Sequence, residues 1–98
     1  MSSNNYWLYN QLRDKNIQLT AGPEPLIEAN TIFGNLKIYT PNPAEYVITM
    51  EIVDKVLELG GNTISYPTTW CKASSESISY GREVGIQVMP HGKLLGRI

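Results

Sequence analysis

The sequence predicts a small three-layer α/β domain with a mostly parallel sheet, and three observations support this prediction. Strand-like runs at 36–40 and 63–64 flank a helix-like apolar pattern over 46–59. Glycines follow both helical patterns in this part of the chain, at Gly60 and Gly85. The order from residue 36 is therefore β-α-β-α-β-α, which favours helices packed on a parallel sheet.

The central helix is predicted to begin at Asn42, because asparagine is a preferred N-cap residue. Pro43 suits the first helical position, and Glu45 can reach back to the backbone of the cap. Apolar residues then recur at helical spacing, at Tyr46, Ile48, Met50, Ile52, Val53, Val56, Leu57 and Leu59. Gly60 and Gly61 end the helix. A helix between two strands predicts that the strands are parallel and the crossover right-handed.

Residues 1–34 are predicted to extend a core formed by residues 35–98, and the two parts make one domain. Two strand-like runs, at 27–33 and 36–40, are separated by Gly34-Asn35. A two-residue Gly-Asn connection between such runs predicts a β-hairpin.

The N-terminal segment before this hairpin is predicted to hold a helix and a strand. The helix begins at Asn4 or Asn5 and runs through Lys15, and residues 17–20 alternate like a short strand. Pro23 and Pro25 then break the chain and form a loop.

A second core helix is predicted to begin at Ser74 or Ser75 and to end at Gly85. Gly81 lies on its inner face, where a glycine costs roughly 1 kcal/mol relative to alanine. We expect a close approach of the helix to the sheet to require this glycine. Residues 86–89 form a short buried strand, and the chain ends in another helical turn.

The predicted binding site is the aperiodic loop from Tyr66 to Ser75, because open α/β sheets bind ligands beyond the carboxyl ends of their strands. Hydroxyl groups, one cation and the amides of the second helix could hold an anion there. Trp70 and Tyr66 could stack on a base or anchor a protein. The same residues also fit a polar loop with capping residues. The predicted phosphate- or partner-binding residues are Thr40, Thr68, Thr69, Trp70, Lys72 and Ser74.

The composition argues against several classes of protein. The net charge of −1 lacks the basic surplus of a protein that binds bulk duplex DNA. Cys71 is the only cysteine and His91 the only histidine, so we expect no internal disulfide and no His/Cys zinc site within one chain. No apolar run approaches a membrane span, and the first residues lack a signal-peptide pattern. We expect a cytoplasmic protein, nuclear in a eukaryote, that needs neither membrane, metal nor cofactor.

Four segments between residues 36 and 98, KIYT, VLELGGNTIS, SYGREVGIQVM and KLLGRI, resemble a BRCT domain in their order. This resemblance implies a parallel-sheet module of DNA-repair and replication proteins. Such modules bind phosphorylated partners or DNA ends and are not enzymes. The family has a further strand between the glycine pair and its second helix, and this chain is too short there to contain it.

The BRCT resemblance also implies roles for individual residues. In phosphate-binding members, a hydroxyl residue at the end of the first strand, a backbone amide and a lysine on the second helix hold the phosphate. Thr40 falls at the hydroxyl position. Ser77 falls at the lysine position, and Lys72 is the nearest cation. Leu94 and Leu95 occupy the place where the family usually has an aromatic residue.

A restriction-endonuclease-like nuclease, active or decayed, is the alternative, because helix, three strands, helix and strand is also the element order of that fold. Such an enzyme needs carboxylates that hold a divalent metal and a lysine beside them. Glu28 and Lys37 lie on the two arms of the predicted hairpin, but Asn35 stands where that family usually has Asp or Glu. Cys71 and His91 as nucleophile and base form a further alternative, for which no third orienting group can be named.

We therefore predict a non-enzymatic binding module, or an accessory or inhibitor protein, that acts through protein–protein contacts. Phosphate recognition is the option that the BRCT resemblance adds. A protein partner is expected, phosphorylated or not, while DNA ends and a second copy of the chain stay open as partners. No catalytic residue and no metal ligand is predicted.

Overall fold

The computed structural model describes residues 3–22 and 26–98, so the predicted break at Pro23 and Pro25 lies outside the described residues. The helices are α1 (Ser3–Asp14), α2 (Met50–Leu59), α3 (Ser75–Val84) and α4 (His91–Arg97). The strands are β1 (Gln18–Ala21), β2 (Ile27–Thr31), β3 (Gly34–Tyr39), β4 (Val47–Ile48), β5 (Thr63–Tyr66), β6 (Lys72–Ala73) and β7 (Gln87–Pro90). None of these helices is long and apolar enough to cross a bilayer.

Five strands form one sheet in the order β1-β2-β3-β5-β7. Strand β2 pairs antiparallel with β1 and β3, whereas β5 pairs in parallel with β3 and β7. All of these strands except β2 therefore run in one direction, which confirms an α/β domain with a mostly parallel sheet. The pairing of Ile38 with Thr63 and of Tyr39 with Ile64 confirms the predicted parallel unit around α2.

Buried side chains form two apolar clusters. The first cluster contains Tyr39, Ile64 and Ile86 from the sheet region, together with Val53 and Val56 of α2. The second cluster contains Ile27, Ile38 and Met89 from the sheet, together with Leu8 and Leu12 of α1 and Leu94 of α4. Successive residues of a strand point to opposite faces of a sheet, so Ile38 and Tyr39 belong to different clusters. Helices α2 and α3 pack with the first cluster, and α1 and α4 pack with the second.

Helix α2 begins at Met50, so the predicted start at Asn42 is wrong. The predicted cap residues form a turn instead, in which the Ala44 N–H donates to Asn42 Oδ1 at 2.9 Å and the Asn42 N–H to Glu45 Oε1 at 3.0 Å. The next residues, Val47 and Ile48, form β4 and pair in parallel with β6. The predicted capping hydrogen bonds form, but the pairing of β4 with the distant β6 moves the start of the helix to Met50.

The predicted hairpin between β2 and β3 is present, but its turn is displaced. Thr31 pairs with Gly34, so Ile32 and Phe33 form the turn instead of Gly34-Asn35. The Thr31 hydroxyl accepts from the Phe33 N–H at 3.1 Å and donates to Gly34 O at 3.0 Å. Gly34 has a φ of 100°, a conformation that glycine adopts readily. The glycine is therefore needed directly after the turn, and two large apolar side chains stand at the tip of the hairpin.

The second core helix agrees closely with its sequence signals. The Ser74 hydroxyl accepts from the Ser77 N–H at 3.1 Å, which confirms the cap of α3, and Gly85 ends the helix with a φ of 85°. A Cβ atom added at Gly81 would lie 2.5 Å from Ile86 O. The expected close approach of helix and strand at Gly81 is therefore confirmed.

Candidate binding site at the carboxyl ends of the parallel strands

The carboxyl ends of β3 and β5 continue into two segments, residues 40–48 and 67–74, which we call the carboxyl-edge loops. Strands β4 and β6 join them, with Val47 opposite Lys72. The Lys72 N–H donates to Tyr46 O at 3.1 Å, and the Ser74 N–H donates to Ile48 O at 3.2 Å. Main-chain hydrogen bonds therefore hold the two loops in one fixed arrangement.

A polar network attaches the first of these loops to α2. The Tyr39 hydroxyl donates to Glu45 Oε1 at 2.5 Å, and Lys55 Nζ lies 2.8 Å from the Tyr39 hydroxyl and 3.0 Å from Glu45 Oε2. Burial opposes ionisation of Glu45, but hydrogen bonds from Tyr39, the Asn42 N–H and Lys55 outweigh it and lower the pKa of the carboxyl. Burial, with the bond to Glu45, raises the pKa of Tyr39. The charge of Glu45 is thus already paired.

Four predicted site residues stand together at the surface of the second loop. Thr68, Thr69 and Trp70 form an exposed turn, and Trp70 keeps 40% of its surface accessible. Lys72, at the start of β6, is also exposed, and it makes no salt bridge within residues 3–22 and 26–98. Ser74 is occupied differently, because its hydroxyl caps α3 and donates to Ile48 O at 3.3 Å.

Thr40, the remaining predicted residue, is buried with 4% of its surface exposed. Its Oγ1 has no hydrogen-bond partner in the described part of the chain. Thr40 directly follows Tyr39, the last residue of β3. The second loop packs Cys71 into the first cluster. The buried Thr40 therefore does not share the exposed surface of Thr68, Thr69, Trp70 and Lys72.

Cys71 and His91 have separate partners. The buried Cys71 thiol donates to Glu45 O at 3.4 Å, and burial raises the pKa of this thiol. His91, at the start of α4, has Nδ1 2.5 Å from the buried Ser65 hydroxyl, and its ring lies 5.4 Å from the ring of Trp7 between centroids. Burial lowers the pKa of His91 to about 4. The two residues thus belong to different surroundings and not to one nucleophile–base pair.

Tyr46 is a surface residue that the sequence analysis missed. The apolar periodicity assigned it to the buried stripe of a helix, but it precedes β4 and is 64% exposed. Its carbonyl accepts the hydrogen bond from Lys72, so it belongs to the same edge. The signal that could have revealed it is the β-branched run Val47, Ile48 and Thr49, which favours a strand over a helix.

The residues of the nuclease alternative meet on the hairpin between β2 and β3. Glu28 is directly opposite Lys37 in the strand register. Asn35, in the place of the family's carboxylate, donates from Nδ2 to Asn30 Oδ1 at 2.9 Å. In the described ranges, no group of three Asp, Glu, His or Cys side chains could hold a metal ion. For the nuclease alternative, the hairpin therefore provides one carboxylate, from Glu28, and one lysine, Lys37.

No protein-family model, curated protein or solved structure matches this chain. The BRCT resemblance therefore stays a prediction.

Proposed function

We propose that this protein is a non-enzymatic binding module, or an accessory protein of that kind, that engages a protein partner through the carboxyl-edge loops. The proposed contact residues are Tyr46, Thr68, Thr69, Trp70 and Lys72. The BRCT resemblance adds the proposal that the partner carries a phosphate monoester. We also propose a three-layer domain, with the two apolar clusters on the two faces of the sheet, and a cytoplasmic or nuclear location.

One observation carries this proposal, the exposure of Trp70 and Tyr46 on loops that the backbone already holds in place. Tryptophan and tyrosine are enriched at binding hot spots, because a large rigid side chain buries much area with little loss of entropy. Main-chain hydrogen bonds between the loops support both residues. A partner therefore has little ordering of the loops to impose on binding.

Lys72 would provide the charge for an anionic group of the partner. It is exposed and makes no ion pair in the described part of the chain, while the carboxylate of Glu45 is paired with Lys55. A phosphate monoester carries between one and two negative charges and accepts several hydrogen bonds, which Thr68 and Thr69 could donate. The buried Thr40 suits this contact less well. We therefore propose that the exposed Thr68 and Thr69, in place of Thr40, donate hydrogen bonds to the phosphate.

An NMR titration with a phosphoserine peptide and its unphosphorylated counterpart tests the proposal. Chemical-shift changes are expected at Tyr46 and at residues 68–72. Lys72→Gln should weaken binding of the phosphopeptide at least about tenfold, because a hydrogen bond to a charged group contributes about 1.5–3 kcal/mol. Lys93→Gln removes the same charge from α4 and should leave the affinity unchanged. Shifts confined to another surface, or equal affinities for Lys72→Gln and the unmodified protein, would contradict the proposal.

The nuclease-like function is the second candidate, because the element order of the domain favours it. Apart from the two-residue strand β4, helix α1, strands β1 to β3, helix α2 and strand β5 follow in the order of that fold. Glu28 also faces Lys37 across the hairpin. Cleavage of DNA that requires Mg²⁺ or Mn²⁺, is lost in Glu28→Ala and persists in Glu51→Ala would support this candidate. If the NMR spectrum of the protein changed with neither Mg²⁺ nor Mn²⁺, this result would instead favour the binding module.

A further inference from the structure

A second surface is formed by α1, α4 and the turn between β2 and β3. Helices α1 and α4 share the second cluster, and the Trp7 ring packs against His91 at the start of α4. At the other end of α4, the Arg97 guanidinium lies 5.2 Å from the centre of the Phe33 ring. These contacts make the three elements one continuous surface. We call it the basic face, and its exposed side chains include Trp7, Phe33, Lys93 and Arg97.

The basic face carries a local charge that the net charge of the chain conceals. Helix α4 carries two exposed cations, Lys93 and Arg97, and no carboxylate, which gives a formal charge of +2. Helices α2 and α3 carry two cations and five carboxylates, which gives −3. In residues 3–22 and 26–98, Lys93 and Arg97 form no salt bridge. They are therefore available to a polyanion, although the whole chain has a charge of −1.

Two aromatic rings mark the ends of this surface. Trp7 is 47% exposed, with its ring against His91, and Phe33 is 56% exposed, with its ring beside Arg97. Between them, α4 exposes Lys93 and Arg97 together with two glycines that add no side chain. Seven helical residues span about 10 Å, and the two ring contacts lie at opposite ends of this length. Lys93 and Arg97 thus lie on a helix whose two ends contact partly exposed aromatic rings.

We propose that the basic face binds single-stranded nucleic acid, with bases stacked on Trp7 and Phe33 and phosphates bound by Lys93 and Arg97. Aromatic side chains combined with a positively charged track are the means by which proteins hold single strands without sequence preference. A duplex fits less well, because its bases are stacked on each other and cannot reach the rings. An anionic membrane also fits less well, since the outer side of α4 lacks the apolar row of an interfacial helix. This site is independent of the carboxyl-edge loops.

Intrinsic fluorescence tests this proposal, because the chain contains only two tryptophans. In a Trp70→Phe background, Trp7 is the only tryptophan, and titration with oligothymidylate at low salt should quench its emission. The logarithm of the affinity should fall linearly with the logarithm of the salt concentration. The double variant Lys93→Gln, Arg97→Gln should bind about tenfold more weakly, with a salt slope reduced by about 0.7 for each phosphate that is no longer bound by a cation. Arg82→Gln, which removes an exposed cation from α3, is the control and should bind as before.

Fluorescence anisotropy of a labelled oligothymidylate then tests the stacking contact separately. Trp7→Leu should weaken binding about tenfold, because a base can no longer stack on an aromatic ring there. Circular dichroism verifies that each variant is folded. Absence of oligonucleotide binding at low salt, an unchanged affinity in the double variant, or quenching by phosphatidylserine vesicles alone would overturn the proposal. Binding of a phosphopeptide is followed through the chemical shifts of Tyr46 and residues 68–72. A failure of phosphopeptide binding is therefore distinguishable from a failure of oligonucleotide binding.

Discussion

Gly81→Ala should destabilise the domain, although alanine favours a helix by about 1 kcal/mol over glycine. The added Cβ atom would lie 2.5 Å from Ile86 O and 3.2 Å from Val88 Cγ2. The Ile86 carbonyl cannot rotate away like a side chain, because the Ile86 N–H donates to Gly81 O at 2.7 Å and the chain continues directly into β7. Overpacking typically costs about 1–3 kcal/mol, and a contact with backbone belongs to the upper part of that range. The expected net loss of unfolding free energy is about 1–2 kcal/mol.

Thermal unfolding followed by circular dichroism measures this loss. For a domain of this size, 1 kcal/mol shifts the Tm by about 4–8 °C, so Gly81→Ala should lower it by roughly 5–15 °C. Gly96→Ala is the control, because a Cβ atom at this exposed position of α4 would meet no atom within 4 Å. This control should keep or raise the Tm. If Gly81→Ala proved as stable as the unmodified protein, the close approach of α3 to β7 would be refuted.

Three further changes test other parts of the fold. The pKa of His91 is lowered to about 4 in the folded protein from about 6.5 in the unfolded chain, so the unfolded chain binds the proton first. The free energy of unfolding should be highest above pH 6.5 and fall by up to roughly 3 kcal/mol as the pH decreases to 4. Urea titrations at pH 7 and pH 5 measure this change, and because His91 is the only histidine, equal stabilities would speak against its burial as a neutral group. Ser74→Ala should cost about 1 kcal/mol through loss of the cap on Ser77, measured by urea unfolding, and Ser75→Ala should cost less. Gly61→Val should lower the Tm strongly, because its Cβ atom would lie 2.5 Å from Val56 Cγ1 and 3.3 Å from Leu26 Cδ2. An unchanged Tm would mean that the chain leaves α2 by another path.

The sequence alone determined the elements whose hydrogen bonds close within a few residues. Ser74 caps α3, and Gly60 and Gly85 end the two core helices with a positive φ that other residues rarely adopt. The parallel pairing of β3 with β5 also followed from the sequence, because a helix that joins two strands brings the chain back along the same direction. These signals are local, so no knowledge of distant residues was needed.

Only the tertiary structure decided where a distant pairing overrides a local preference. Val47 and Ile48 follow a good capping sequence, yet they pair with β6 and leave Tyr46 exposed. Thr40 is buried where β3 ends, although the sequence predicts a binding residue at this position. The basic face likewise depends on how α1, α4 and the hairpin turn dock together, since Trp7, Phe33 and Arg97 are far apart in the chain. Such contacts depend on the packing of whole elements, which no short stretch of sequence encodes.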